Sequence, residues 1–560
     1  MLDIINLGGI FVAISKKVLG VTLASAVMLT SLGQFGQKDE KAEAKKDTEK
    51  AKNVIMLVMD GTSVGATNLA RWYKGEPLAL DSIVTGGVLT HSAESAITDS
   101  APASTAMATG NKSNDKLVGV LPEVVNTPGV DRALAEKPFK PVANVLEGAK
   151  RGGKATGIIS TSEIQHATPA GFSAHVTHRS EYEKIAEQQV YQGIDVVLGG
   201  GKEALVPGEA KNNRKDGENL VNVLKSNGYD IVENRTDLLN TKSDKIWGAF
   251  APNQLAYDID REKTNPSEPT LAQMTNKAIN TLSKDKDGFF LFVEGSKVDW
   301  AAHANDPIGI IGDVLSFDAA VQEALDFAKK DKDTLVIAVS DHGNSGITMG
   351  NLNTSKTYPN IPVSAYIDPL KKASMTLEGA LSQLKADKSN LLEVAALYGI
   401  DNPTDAEKEA LVKSANLQQT LVQLLSNRAN IGFSTGGHTG EEVFLYSYGP
   451  GKPTGLIDNT EIAHTMASSM GFDLKKVSEE LFVEAEEAFK KENAVVKIDE
   501  TDKHNPILVV TKGNKIAKFP VNKNIMIADG KETKLKSVIV QSKDKFYIPE
   551  EAVKLFSKIK

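Results

Sequence analysis

Cysteine is absent from all 560 residues, which removes disulfides, thiolate nucleophiles and every Cys-ligated zinc or iron–sulfur site. A basic excess is absent as well. The 64 Lys and Arg face 72 Asp and Glu, a net charge of −8, so no nucleic-acid-binding surface is expected. After residue 32 no stretch approaches the roughly 18 unbroken apolar residues of a membrane span, so the mature chain is expected to be soluble or surface-tethered. Histidine is scarce: nine are present, and their clustering in a few motifs carries information. What remains is 41% hydrophobic and 24% charged, ordinary for a globular protein, with chain enough for a large enzyme body and appendages.

The two ends differ from the middle. Lys16-Lys17 precedes the apolar run VLGVTLASAVMLTSL at 18–32, and Ala42-Glu43-Ala44 follows as an A-x-A cleavage site. That is the pattern of an export signal. Residues 1–44 therefore read as signal peptide and leader, and the protein as secreted or cell-surface associated. An uncleaved membrane anchor is the alternative, for which the run is short. At the other end, residues 494–560 hold 14 Lys against 8 acids and no Arg, a net of +6 that leaves −14 on the rest. The short runs ILVV, KIAKFPV, NIMIA and SVIVQ, with a hairpin turn at Asp529-Gly530, predict a separate basic β-rich module. An acidic helix-like linker at 478–491 precedes it.

Between Asn53 and Gly471, apolar β-branched runs alternate with helical patterns at 271–283, 313–329 and 407–426. The strand runs are 53–59, 155–160, 195–200, 289–293, 334–340 and 443–449. Continuous apolar runs of this kind are buried on both faces, which predicts an α/β fold with a large, mostly parallel central sheet sandwiched between helices.

Three of those strands run into an acid: Asp60-Gly61, Glu294-Gly295 and Asp341-His342-Gly343. Ligands of open α/β sheets gather at the carboxyl edge. A lone acid there is usually a helix cap, but three converging carboxylates repel one another unless protonated or holding cations. The group points to a metal cluster. Asp299 and His303 in VDWAAHANDP are spaced i, i+4, on one helix face about 6 Å apart along the axis. That suits two ligands of a tetrahedral zinc, with a surface ion pair as the alternative. His438 in FSTGGHTGEEV lies on a loop that Gly436-Gly437 lets approach a site closely. The small-residue segment TDSAPASTAMATG, 98–110, opens a helix at Ser100. A Ser there is either an N-cap or a nucleophile at a helix N-terminus that favours an anion.

Taken together, Asp60, Asp99-Ser100-Ala101, His166-Ala167-Thr168, Arg179, Glu294, Asp299, His303, Asp341-His342 and His438 resemble the alkaline phosphatase family in order and spacing, over residues 50–475. The resemblance implies that Asp299, His303 and His438 hold one zinc, and that Asp341, His342 and one oxygen of Asp60 hold a second. The other oxygen of Asp60, Thr168 and Glu294 would take a magnesium, giving two Zn2+ and one Mg2+ per subunit. Ser100 becomes the nucleophile and Arg179 the bidentate phosphate clamp, oriented by Asp99. The implied reaction is hydrolysis of small phosphomonoesters at alkaline pH through a phosphoserine intermediate.

Two positions depart from some family members: His166 stands where those carry Asp, and Trp300 where they carry Lys. His166 then competes as a nitrogen ligand or lies just behind the ligands, and loss of a Lys eases phosphate release. The other five His (91, 175, 178, 464 and 504) read as packing or surface residues. Residues 344–436 form an insertion, either a crown or lid over the site or a homodimer surface.

Rival readings share the superfamily. A sulfatase would need an Arg where Ser104 stands and a Cys to convert. A phosphodiesterase is the nearer alternative, against which Arg179 and the Thr168/Glu294 pair favour a dianionic monoester. A different class of reading is a cell-surface binding protein whose basic tail contacts anionic wall polymer. That tail resembles the stalk-like module of copper amine oxidases, without a copper-ligand set, since its only His is His504.

Overall fold

The computed structural model describes residues 50–559, with the backbone of residues 3–7 and 10–14. Those two short segments pair as antiparallel strands, Asp3–Leu7 with Ile10–Ile14, in a unit of their own. The export signal and cleavage site read at 16–44 lie outside the described residues. Among the described residues, no helix is long and apolar enough to cross a membrane.

A ten-stranded sheet organises residues 50–475. From edge to edge it runs Gly455–Asp458, Val84–Leu89, Val443–Tyr448, Thr334–Val339, Asn53–Met59, Phe289–Gly295, Ala155–Glu163, Val196–Gly200, Ile246–Ala249 and Asp230–Val232. Val443–Tyr448 alone is antiparallel to its neighbours, so the sheet is mostly parallel, as the continuous apolar runs predict. All six anticipated strands lie in it.

The alternation of side chains along each strand builds a core on either face. Ile55, Leu57 and Met59 join Leu291 and Val293 beneath the helices Val64–Lys74, Leu271–Leu282 and Pro307–Asp331. Val54, Met56 and Val58 join Phe290 and Phe292 beneath Val145–Arg151, Tyr182–Gln192 and Asn459–Met470. The helical pattern at 407–426 resolves into two helices, Asp405–Val412 and Leu417–Arg428, because Asn416 caps the second by accepting from Gln419 N. The insertion is closed at its root by two small antiparallel pairings, Gly343–Asn344 with His438–Thr439 and Thr348–Met349 with Ile431–Gly432.

Beyond residue 481 the chain forms two further sheets, of five and three strands. Asp529 and Gly530 are both left-handed (φ 51° and 71°), the twist a two-residue hairpin turn requires. The segment read as a linker is instead part of this fold. Val483–Glu484 pairs with Lys545–Ile548, and Ala485 and Phe489 share one core with Leu508, Val510, Phe519 and Phe556. Its acidic exterior hid an amphipathic helix whose few apolar residues all turn inward. Phe489→Ala should therefore destabilise the module by about 3–5 kcal/mol, the cost of emptying a buried aromatic site. Limited proteolysis and thermal unfolding measure this; a true linker would tolerate the change.

Candidate active site

Three neighbouring parallel strands deliver acids to one edge. Val339 lies beside Val58, and Val58 beside Glu294. Asp60 and Asp341 follow directly, and all three acids are buried. The chain turns at Gly61 (φ +61°), whose N–H donates to Asp341 Oδ1 at 3.0 Å. A Cβ at Gly61 would lie 2.2 Å from Asp299 Oδ1, so close approach demands glycine. Burial, and then the neighbouring Asp341, Asp299 and Glu294, push the Asp60 carboxyl well above the usual range. Burial also raises Glu294 to about 7.

The histidines are set by their backbone partners. Nδ1 of His303 lies 3.0 Å from Gly436 O, that of His438 2.8 Å from Thr98 O, and that of His342 3.2 Å from Gly343 O. A ring that donates from Nδ1 presents a bare lone pair at Nε2. The Nε2 atoms of His303 and His438 face each other at 3.1 Å, and lie 3.5 and 3.6 Å from the Asp299 oxygens. Nε2 of His342 lies 3.5 Å from Asp60 Oδ1 and 3.3 Å from Asp341 Oδ2. Lone pairs and carboxylates converge in both places, and two ligands of one tetrahedral zinc stand about 3.3 Å apart. Asp60 Oδ1 and Asp341 Oδ2 are buried without a hydrogen-bond partner. These sets fit divalent metals.

A third group adjoins them. Thr168 Oγ1 donates to Asp60 Oδ2 at 3.1 Å, Ser160 Oγ donates to Glu294 Oε2 at 2.5 Å, and Glu294 Oε1 is buried without a partner. His166 lies with Asp60 and Glu294. Its Nε2 sits 3.0 Å from Arg179 NH2, which can only donate, so Nδ1 carries the proton. Burial, and then Arg179, hold His166 down to about 3. Trp300 meets the His166 ring edge-on at 5.8 Å and takes Lys297 Nζ over its own face at 4.4 Å.

Ser100 is not the cap of its helix. The helix is Ser100–Thr109, and its N-cap is Asp99, whose Oδ2 accepts from Ala101 N at 3.3 Å. Ser100 is thereby free at the first helical position, with Oγ 3.1 Å from His342 Nε2. The same Asp99 carboxylate accepts from Arg179 NH1 at 2.7 and 2.6 Å. Burial alone would raise Asp99, but Arg179 outweighs it and holds the carboxyl below its usual range.

The structure thus brings together Asp60, Thr168, Glu294, Asp299, His303, Asp341, His342 and His438, with Ser100, Asp99, Arg179 and His166 alongside. Sequence reasoning missed Asn344, whose Nδ2 donates to Asp299 Oδ1 at 2.7 Å, and Ser160 beside Glu294. Neither stands in a motif; Asn344 was detectable only as the residue after His342-Gly343.

Comparison with known proteins gives a consistent result. The Alkaline phosphatase family model matches residues 51–472. The chain is 36% identical to Alkaline phosphatase 3 of Bacillus subtilis, over 82% of this chain and 98% of that protein. The crystal structure of Thermus thermophilus alkaline phosphatase matches with a TM-score of 0.66 at 28% identity, over 76% of this chain and 92% of that one. A mutant of TAB5 alkaline phosphatase, with aspartate in place of a histidine and magnesium bound in its M3 site, matches at 26% identity. Its TM-score is 0.54, over 76% of this chain and 99% of that one.

Asn344→Ala removes the side chain that orients Asp299 and should weaken divalent-metal affinity by about 10–100-fold, the usual cost of losing a partner behind a ligand. Zinc titration against a chromogenic chelator measures this, with circular dichroism unchanged.

Proposed function

This chain belongs to the alkaline phosphatase family and is a phosphomonoester hydrolase, and from that premise we propose that Ser100 is its nucleophile and Arg179 its phosphate clamp. The observation that carries the reading is the buried Ser100 Oγ, released from capping by Asp99 and set 3.1 Å from His342 Nε2 at the edge of the carboxylate cluster. Zinc held by Asp299, His303 and His438, a second zinc held by Asp60, Asp341 and His342, and magnesium held by Asp60, Thr168 and Glu294 would make the Ser100 hydroxyl and a water nucleophilic and offset charge on the departing oxygen.

The chain's own residues supply the rest. Ser100 lies at a helix N-terminus, which favours the anion it must approach. A bond forms from Ser100 Oγ to phosphorus as the bond to the alcohol oxygen breaks, and the alcohol leaves carrying a proton. Arg179, held by Asp99, presents its outer N–H groups to two nonbridging oxygens and stabilises their charge. Water then displaces Ser100 and releases inorganic phosphate. Two in-line displacements retain configuration at phosphorus.

His166 acts behind the ligands in this reading. Its Nε2 faces Arg179 NH2 at 3.0 Å, so its lone pair is spent on the clamp. Lys16-Lys17 and the apolar run after it support export, which puts the reaction outside the cytoplasm.

Ser100→Ala should lower kcat for a chromogenic phosphomonoester by at least about 10^3-fold while bound zinc stays unchanged; appreciable residual turnover would refute Ser100 as nucleophile. His166→Asp supplies an oxygen ligand, and elemental analysis after dialysis should find more magnesium than in the parent protein. Unchanged magnesium content would mean that His166 does not limit the third site.

A further inference from the structure

The C-terminal module meets the catalytic body at a point that bears on the phosphate clamp. Asn522, just past the strand Lys515–Pro520, is buried and left-handed (φ +64°). Its Oδ1 accepts from Gln188 Nε2 at 3.0 Å, and its Nδ2 donates to Glu187 Oε2 at 3.0 Å. Gln188, on the helix Tyr182–Gln192, grips the backbone of His175 on both sides. Its Oε1 accepts from His175 N at 2.8 Å, and its Nε2 donates to His175 O at 3.0 Å.

His175 begins the run HVTHR that ends in Arg179. Val176 exchanges two backbone bonds with Val118, each 3.0 Å, and Arg179 N donates to Lys116 O at 2.8 Å. The run is therefore pinned along one side by 116–118 and at its start through the His175 backbone by Gln188 and through the His175 ring by Gly119 O at 2.8 Å and Glu147 Oε1 at 3.0 Å. Phe482 adds an edge-on contact to the His175 ring at 4.6 Å.

The same junction is neutralised by charge. Lys523 Nζ lies 3.0 Å from Glu218 and 3.4 Å from Glu187, and Arg214 pairs with Asp216. Two cations already occupy the acidic group formed by Glu187, Asp216 and Glu218.

We propose that Asn522 is a positioning residue for phosphate binding: through Gln188 it fixes His175, and with it the run that aims Arg179. The Gln188 amide has two N–H groups, one spent on His175 O and one on Asn522 Oδ1. Without Asn522 the second is buried and unpaired, so nothing on that side holds the amide in the plane of its two bonds to His175, and both loosen. The inference rests on Arg179 being the clamp.

Asn522→Gly deletes the amide and keeps the left-handed backbone. In the full chain loaded with zinc and magnesium, KM and the inhibition constant for inorganic phosphate should rise about three- to tenfold, the weight of one buried hydrogen bond, with kcat within about twofold. Amide hydrogen exchange across residues 173–181 should quicken. Gln188→Met, which fills the space without needing a partner, should match Asn522→Gly and decides the matter if the glycine variant does not fold. The double variant should be no worse than either single one.

Unchanged KM with unchanged exchange would overturn the proposal, as would a loss confined to thermal stability. Arg179→Ala tests the clamp itself by its effect on phosphate inhibition. If that variant binds phosphate normally, the clamp reading falls, and exchange at 173–181 still reports whether Asn522 holds the run.

Discussion

Four carboxylates packed into one water-poor edge cannot all be charged without cations among them. Asp60, Glu294, Asp299 and Asp341 are each nearly inaccessible, at 0, 0, 5 and 1% exposure. The cause lies in the sheet: Thr334–Val339, Asn53–Met59 and Phe289–Gly295 are consecutive and parallel, so their acid-bearing ends must meet. Covering helices on both faces keep water away. Either protons or metal ions relieve the repulsion, and the histidines decide which. Each spends Nδ1 on a carbonyl and aims a bare Nε2 inward, a donor set that protons serve poorly and zinc serves well. The missing side chain at Gly61 and the amide of Asn344 belong to the same requirement, since both fix the place of Asp299.

Asp99 links that cluster to the substrate's other side. One carboxylate caps the helix that begins with Ser100 and also binds the Arg179 guanidinium. Ser100 and Arg179, the proposed nucleophile and clamp, are thereby referred to one rigid point. His166 accepts from the opposite side of the guanidinium, so Arg179 is held at two edges before any phosphate arrives. Such preorganisation is what phosphoryl transfer needs, because most of its catalysis is positioning and charge stabilisation.

Much of this was legible in the chain itself, for physical reasons. Strands buried on both faces must be continuously apolar, and six of the ten in the large sheet announce themselves. The other four do not. Val84–Leu89 carries Gly86-Gly87 and shows no continuous apolar run, and glycine is there because a Cβ at Gly86 would lie 1.8 Å from Gly455 O. The carboxylate–histidine cluster was readable because acids at strand ends and an i, i+4 Asp/His pair are unusual together. The residues that support it were not: Ser160 and Asn344 act through side-chain hydrogen bonds that no spacing marks, and Ser and Asn are common along any chain. The helix Ala485–Lys491 was read as helical but taken for a linker, because its charges outnumber the few apolar residues that hold it.

Charge shows the same limit from the other direction. The +6 of residues 494–560 suggests a surface for an anionic partner, and Lys503, Lys512 and Lys531 do face outward. Lys523 and Lys534 do not serve that surface. The first pairs with Glu218 and Glu187, and the second donates to Asn227, both on the catalytic body. Part of the basic excess is thus complementary to the body's acidic excess, and the two composition anomalies answer each other across one junction. A module merely tethered by a flexible linker would have no use for that complementarity. One that is docked against Glu187 and Gln188 must keep it, because the buried Glu187 is balanced by Lys523 and Arg214.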